Sequence, residues 1–595
     1  MSTRTMPSPS AATAPPAALA AVMALAGVVA AALLVLRYGL RPPLPVDEAT
    51  LFSAAAAIIG VFILDRLMRL VLTGDRAAAL SENGIDLAMI VAASVATIIF
   101  SSRGDSIWPI MAGALLYIII SQAYQLGAWT IRRLGEASIS PPAMFVLAFL
   151  TLVLAGTAML SLPAATPEKA RFFFVDAVFT AVSAACGVGL VVKDTGGDFT
   201  PLGQGVILVL VQAGGMAMLF FGSLLVMKIV SPQRVAAHQG LRRLGASVVL
   251  VALAIEAVGA ALLYPMFAAP QGPHTPAPAQ AAWDSIFTSV CAFCNAGFSL
   301  YRENLMAGAA QGWEQPLRSH WQVLGVIAPL AVLGGLGLPV LLDLGAWLRS
   351  GLRTKLSSHS QLVIAVTVLL LIGGACGLLL IQRGDASTNV VGRHAKFNTV
   401  GATVSDWNKL TPPQRLASSL FQSASARTAG FTILDVTQLS DASKFWLCGL
   451  MTVGGGPGGT AGGMKVVTLA VLLAAAWGFL RRRDDQQPLA GAAAPLLRTA
   501  LLAAFFFSLL IATTAILLCL AQPTGQSFID LFFEACSACT STGLTAGVTG
   551  PTTSLNEGGK YILAGAMAVG RLGLLVMLLH LADGMQGKPQ EIAIA

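Results

Sequence analysis

The sequence predicts an all-α polytopic membrane protein: a span, a short re-entrant helix and a second span, repeated four times about one axis behind four extra N-terminal spans. Three observations predict it. Of 595 residues, 56% are hydrophobic and 11% charged, where a soluble domain carries about 25% charge. Apolar runs of roughly 18 or more residues recur from end to end, each long enough to cross a hydrocarbon core of about 30 Å. Four stretches are variants of one motif: FVDAVFTAVSAACGVGLVV from Phe174, AWDSIFTSVCAFCNAGFSL from Ala282, LASSLFQSASARTAGFTIL from Leu416 and FIDLFFEACSACTSTGLTA from Phe528. Each ends in a glycine and a bulky apolar residue, Gly189-Leu190, Gly297-Phe298, Gly430-Phe431 and Gly543-Leu544. The net charge of +8 suits Lys- and Arg-rich cytoplasmic loops and implies no nucleic acid.

Taken in order, residues 1-16 are Pro-, Ala- and Ser-rich and predict a disordered N-terminus. The run at 17-36 is long for a signal peptide and is followed by more spans, so it reads as a first crossing. With runs at 50-72, 84-101 and 107-127 it forms an accessory bundle over 17-137. Repeat 1 (138-242) has spans 141-162 and 203-230. Repeat 2 (243-356) has 245-268 and 320-347. Repeat 3 (357-490) has 360-381 and 443-480. Repeat 4 and the C-terminal tail (491-595) have 496-521 and 558-582. The run at 443-480 is too long for one crossing. It contains Gly454, Gly455, Gly456, Pro457, Gly458, Gly459, Thr460, Ala461, Gly462 and Gly463, which cannot be a comfortable helix interior. Two half-helices joined by an irregular segment at membrane depth are expected.

Basic residues set the orientation. Arg66, Arg69 and Arg76, Arg132 and Arg133, Lys228, Arg234, Arg242 and Arg243, Arg349, Arg353 and Lys355, and Arg481, Arg482 and Arg483 all fall in loops on one side. That side is the cytoplasm, with both termini inside. The outer stretch from Arg383 to Arg415 is an exception to the rule. The four motifs then lie outside, in one orientation. This is pseudo-fourfold symmetry about the membrane normal, unlike the inverted repeats of many secondary transporters.

A short helix entering from outside directs its partly negative C-terminus at the membrane centre. Four such ends stabilise a cation, and the extended segments that follow offer backbone carbonyls in place of its hydration shell. Such backbone is tolerated only where it lines a wet path or is buried in protein. Phenylalanine precedes the glycine by ten residues in three motifs and by nine in the third (Phe421 to Gly430), so the third wall should differ in geometry. Asp176, Asp284 and Asp530 begin three of the short helices where Ser418 begins the other; N-capping and cation attraction both fit. The CxxC pairs Cys291/Cys294 and Cys536/Cys539 occupy equivalent places in the repeat and read as small residues packing a helix rather than zinc ligands. The histidines have no ligand spacing, and no hydrolase or phosphate-binding motif is present, so the chain does not read as an enzyme. Arg571 interrupts an apolar span, a position costing about 2.5-3.5 kcal/mol on insertion scales; contact with carbonyls of the broken span explains it better than snorkelling or a carboxylate partner. Lys465 ends the glycine-rich segment and faces either the inner path or the cytoplasm. Glu534 reads as locally paired.

The runs GLVVKDTGGDFTPLGQGVILVLVQAGG from Gly189, CNAGFSL from Cys294, SARTAGF from Ser425, GGGPGGTAGGMK from Gly454 and VGRLG from Val569 resemble the ion-translocating subunit of the Trk/Ktr/HKT superfamily of potassium transporters, of the KtrB/TrkH type. The resemblance covers about three quarters of the chain, from Ser140 onward. It implies a filter made by Gly187, Val188 and Gly189, Asn295, Ala296 and Gly297, Thr428, Ala429 and Gly430, and Ser541, Thr542 and Gly543. It implies that residues 454-463 gate the pore, with Arg571 touching the gate and Lys465 beside it. It also implies a homodimer in a bacterial plasma membrane, potassium as the only metal, sodium as a candidate activator, and a cytosolic RCK-type subunit through which alone a nucleotide acts. One departure is Cys186-Gly187-Val188-Gly189-Leu190 where relatives carry a Thr-Val-Thr-Gly-Leu run; the extra Gly187 is expected to loosen the first wall. The alternative is a secondary transporter for a small organic solute, or a sodium-coupled symporter.

Overall fold

The computed structural model describes residues 17-40, 47-72, 86, 89-90, 92-93, 97, 107-119, 121-122, 141-168, 173-230, 238-271, 275-308, 313, 315-353, 355-382, 407, 410-480, 494-522, 526-551 and 555-585. The expected disordered N-terminus, most of the span at 84-101, the C-terminal tail and the basic-loop residues Arg76, Arg132, Arg133, Arg234, Arg481, Arg482 and Arg483 lie outside the described residues. The chain divides into two compact parts, one formed by residues 1-140 and 162-164, the other by 141-161 and 165-595.

In the first part, α1 (Ala17–Leu34) runs into a π-helical turn, Val35–Gly39, and α2 (Glu48–Leu72) follows. Met23, Ala26, Ala30 and Leu33 share one face of α1. They are buried with Leu51, Ala55, Ile58 and Phe62 of α2 and with Met111, Leu115 and Ile118 of an apolar helix at Trp108–Ile119. Arg66, expected in a basic loop, lies inside α2. It is buried within 3.5 Å of Asp65 and 3.0 Å of Asp86, because a charge this deep in an apolar helix is tolerated only when paired.

In the second part the order helix, short helix, helix occurs four times. The helices are α3 (Pro141–Leu160), α4 (Phe174–Ala185) and α5 (Pro201–Val230); α6 (His238–Ala268), α7 (Pro278–Phe293), α8 (Ala328–Leu336) and α9 (Leu338–Arg349); α10 (Ser358–Ile381), α11 (Pro412–Ala426), α12 (Asp441–Thr452) and α13 (Val466–Leu480); and α14 (Ala494–Ala521), α15 (Phe528–Thr540) and α16 (Glu557–Met585). Prolines pre-set the first turns of α7 and α11. Gln414 Oε1 accepts from the Thr411 amide at 2.9 Å in a capping box at the start of α11. Each short helix packs on the helix before it and on a helix of the preceding group, the first group taking the last: α7 on α5, α11 on α8, α15 on α12, and α4 on α16.

The sequence predicts twelve spans. Among the described residues six helices are long and apolar enough to cross a bilayer, or seven if one bent pair counts as a single span. That pair overturns the straight helix expected over 320-347. The chain bends by 112° between Val323–Leu336 and Leu338–Arg349, at Gly337, whose φ is +96°. Gly337 supplies a backbone region closed to most side chains, and Pro339 has no amide to extend α8. The break expected within 443-480 is present between α12 and α13.

Candidate functional site

The four short helices end in one backbone pattern. Two residues before each terminal glycine the chain turns left-handed, at Gly187 (φ +57°), Asn295 (+52°), Thr428 (+78°) and Ser541 (+56°). The glycines themselves are also left-handed: Gly189 (+89°), Gly297 (+67°), Gly430 (+77°) and Gly543 (+86°). The extra glycine of the first wall therefore occupies a position where a left-handed residue is required in every wall. Glycine adopts that conformation without strain.

Between these turns one amide folds back onto the helix end. Val188 N donates to Ser183 O at 2.8 Å, Ala296 N to Cys291 O at 2.8 Å and Thr542 N to Ser537 O at 2.9 Å. In the third wall, one residue shorter, Ala429 N donates to Ser425 O at 2.9 Å. The carbonyls of Val188, Ala296, Ala429 and Thr542 receive no hydrogen bond from the described residues. Buried carbonyls are nearly always paired, so four such oxygens drawn together have free lone pairs for a further group.

The walls meet in a closed ring. A Cβ built on Gly189 would lie 2.1 Å from Ala296 O. On Gly297 it would lie 3.2 Å from Ala429 O, on Gly430 2.6 Å from Thr542 O, and on Gly543 2.0 Å from Val188 O. Each glycine thus admits the carbonyl of the next wall, and the fourth returns to the first.

Sequence reasoning missed the hydroxyls that brace these walls. Ser183 Oγ donates to Leu190 O at 2.8 Å and accepts from Gly189 N at 3.1 Å. Ser537 Oγ accepts from Gly543 N at 3.0 Å, and Ser425 Oγ donates to Phe431 O. Their signal was a repeat position occupied by serine in three motifs and Cys291 in the second. The acidic starts form specific partnerships. Asp176 caps the Phe173 amide at 3.3 Å and pairs with Lys560 at 2.6 Å, and Asp530 pairs with Lys444 at 2.7 Å. Asp284 accepts from Tyr301 at 2.8 Å and Gln280 at 2.7 Å. Glu534 is fully buried and accepts from Thr545 Oγ1 and from the amides of Ala546, Val548 and Thr549 at 3.1-3.2 Å; the local pairing expected for it organises the chain after the fourth glycine. The four paired cysteines are buried, packing the short helices. Glu256, another residue unremarked in the sequence, is an intramembrane carboxyl held by Gln212 at 2.9 Å.

The glycine-rich segment lies against this ring. Gly454 N donates to Met464 O and Met464 N to Thr452 O, each at 2.9 Å, pinching the segment into a loop. The bend at Gly337 receives it. Gly456 N donates to Gly335 O at 2.8 Å, Thr460 N to Gly334 O at 3.0 Å, and Leu338 N to Gly458 O at 3.2 Å. Asn295 Nδ2 donates to Thr460 Oγ1 at 2.8 Å. Arg571 is buried and its Nη2 donates to Thr460 O at 2.6 Å. Lys465 Nζ turns back to Ala461 O at 2.8 Å. A second buried arginine, unremarked in the sequence, is Arg427: Nη2 donates to Gly454 O at 2.7 Å and Nη1 to Thr367 O at 3.4 Å.

A family model described as TrkH, cation transport protein, matches residues 234–588, more than half of the chain. The chain belongs to the TrkH family. Three relatives are similar over most of their length. The Ktr system potassium uptake protein B of Vibrio alginolyticus is 31% identical over 477 residues, 78% of this chain and 96% of that protein. The potassium/sodium uptake protein NtpJ of Enterococcus hirae is 29% identical, covering 74% and 93%. The Ktr system potassium uptake protein D of Bacillus subtilis is 27% identical, covering 74% and 93%. The crystal structure of the potassium transporter TrkH from Vibrio parahaemolyticus shares the fold, with a TM-score of 0.56 at 15% identity over 94% of this chain and 98% of that one. TrkH membership makes this chain a multi-pass cation transporter of the membrane, not an enzyme.

Proposed function

We propose that this chain is the ion-translocating subunit of a potassium uptake system. The observation that carries the reading is the closed ring in which each terminal glycine admits an unpaired carbonyl of the next wall. Such carbonyls replace potassium's hydration shell. The names of its relatives support potassium as cargo. The filter comprises residues 187-189, 295-297, 428-430 and 541-543, about a pseudo-fourfold axis through repeats 138-242, 243-356, 357-490 and 491-595. Transport is passive and driven by the membrane potential. Residues 454-463, held by Arg571, form the gate. Both termini face the cytoplasm of a bacterial plasma membrane, and a homodimer works with a cytosolic RCK-type subunit that alone handles nucleotide. Sodium as activator or coupled ion is a second reading, favoured by the relative named as a potassium/sodium uptake protein.

Gly189→Ser tests the filter. The side chain enters where Ala296 O stands, so the first two walls must part. Rubidium influx into proteoliposomes should lose its advantage over sodium while the protein stays folded. An unchanged preference would reject the filter assignment.

A further inference from the structure

The intramembrane segment reaches all four walls. At the second, Asn295 Nδ2 donates to Thr460 Oγ1 at 2.8 Å, and that hydroxyl donates on to Phe293 O at 3.0 Å. At the third, Arg427 Nη2 donates to Gly454 O at 2.7 Å. At the fourth, a Cβ built on Gly462 would meet Thr540 O at 2.3 Å and Ser541 Cβ at 2.7 Å. At the first, contact passes through Arg571. Its Nη2 holds Thr460 O at 2.6 Å and stands 3.4 Å from the Cβ position of Gly187. Every contact falls on a residue of a proposed filter triplet or within two positions of one.

We propose that this segment braces the filter as well as blocking it, and that Arg427 is the positioning residue that couples it to the third wall. This rests on the filter and gate reading above. Displacing the segment then removes support from the walls, and discrimination between potassium and sodium falls as the path opens. The third wall needs such a tie because it is one residue shorter and Arg427, the C-cap of α11, stands directly before its left-handed residue, Thr428. Arginine suits the task. Its planar fork reaches Gly454 O and Thr367 O together from a buried position, whereas a lysine ammonium is a point charge on a flexible stem.

The test is the ratio of rubidium to sodium influx in proteoliposomes for the full-length chain. Arg427→Gln should lower the ratio by about tenfold or more, the scale of one lost charge-assisted hydrogen bond, with Arg427→Lys intermediate. Thr460→Val removes no charge, yet should lower the ratio too, by cutting the tie between the segment and Asn295, whose Nδ2 keeps only Ala331 O at 3.0 Å. Equal increases in both ions would mean that the segment is only a barrier and would overturn the coupling. Should Arg427→Gln fail to fold, Arg427→Lys and Thr460→Val decide by the same ratio. A wild-type chain that moves neither ion overturns the transport reading itself; a selective wild type with unchanged ratios in the variants overturns only the coupling.

Discussion

Two interrupted helices meet beneath the ring, and they break in opposite ways. Between α12 and α13 the chain leaves the helix from Val453 to Lys465 and its amides must find acceptors elsewhere. Between α8 and α9 one residue, Gly337, turns the helix by 112°. That bend strips the carbonyls of Gly334 and Gly335 of helical partners, and those carbonyls receive Thr460 N and Gly456 N. Two bonds thus run from donors of the long break to acceptors of the sharp one, and a third runs back, from Leu338 N to Gly458 O at 3.2 Å. Unpaired backbone in a membrane costs several kcal/mol per group, so neither interruption is stable without the other.

The largest expected effect comes from closing the sharp break. Gly337→Val puts a branched side chain at φ +96° with its Cβ 2.5 Å from Pro457 O. The backbone strain alone is worth about 1-3 kcal/mol, and the clash displaces the loop. The detergent-solubilised protein should melt many degrees lower; an unchanged midpoint would dissolve the pairing of the two breaks. Next is Arg571→Gln, which removes a charge-assisted bond to Thr460 O. Such a bond is worth about 1.5-3 kcal/mol, so basal rubidium flux should rise roughly tenfold or more with the fold retained. Unaltered flux would separate the contact from gating. The smallest effect is Gly449→Ala, in α12 just before the long break, where a Cβ meets nothing within 4 Å. Helix propensity alone should then raise stability by at most about 1 kcal/mol. If this change lowers the melting midpoint as far as Gly337→Val, local crowding does not explain the cost at Gly337.

Much of the site was legible because it repeats. Four glycines in register, a ten-residue glycine-rich run and an arginine inside an apolar span each break a strong local rule, and such departures tend to mark functional sites. The bend at Gly337 was also spelled out, as Gly334-Gly335-Leu336-Gly337-Leu338-Pro339. It was read as a plain span because apolar length is a stronger signal than a single left-handed residue. Arg427 carries no such signal, because its partner, Gly454 O, is a main-chain atom with no letter of its own. The left-handed position that Gly187 shares with Asn295, Thr428 and Ser541 is likewise a backbone property, spread over four unlike residues.

By itself the sequence determined that this is a polytopic helical membrane protein, with four short helices each ending at a glycine and one span broken by glycine. Those features follow from composition and local propensity, which each segment carries alone. The tertiary structure decided which wall neighbours which, that the Gly337 bend receives the Gly454–Gly463 segment, and that Arg427 and Arg571 hold that segment near its two ends. Those pairings join backbone donors and acceptors far apart along the chain. They arise because polar groups excluded from water must find one another inside the folded protein.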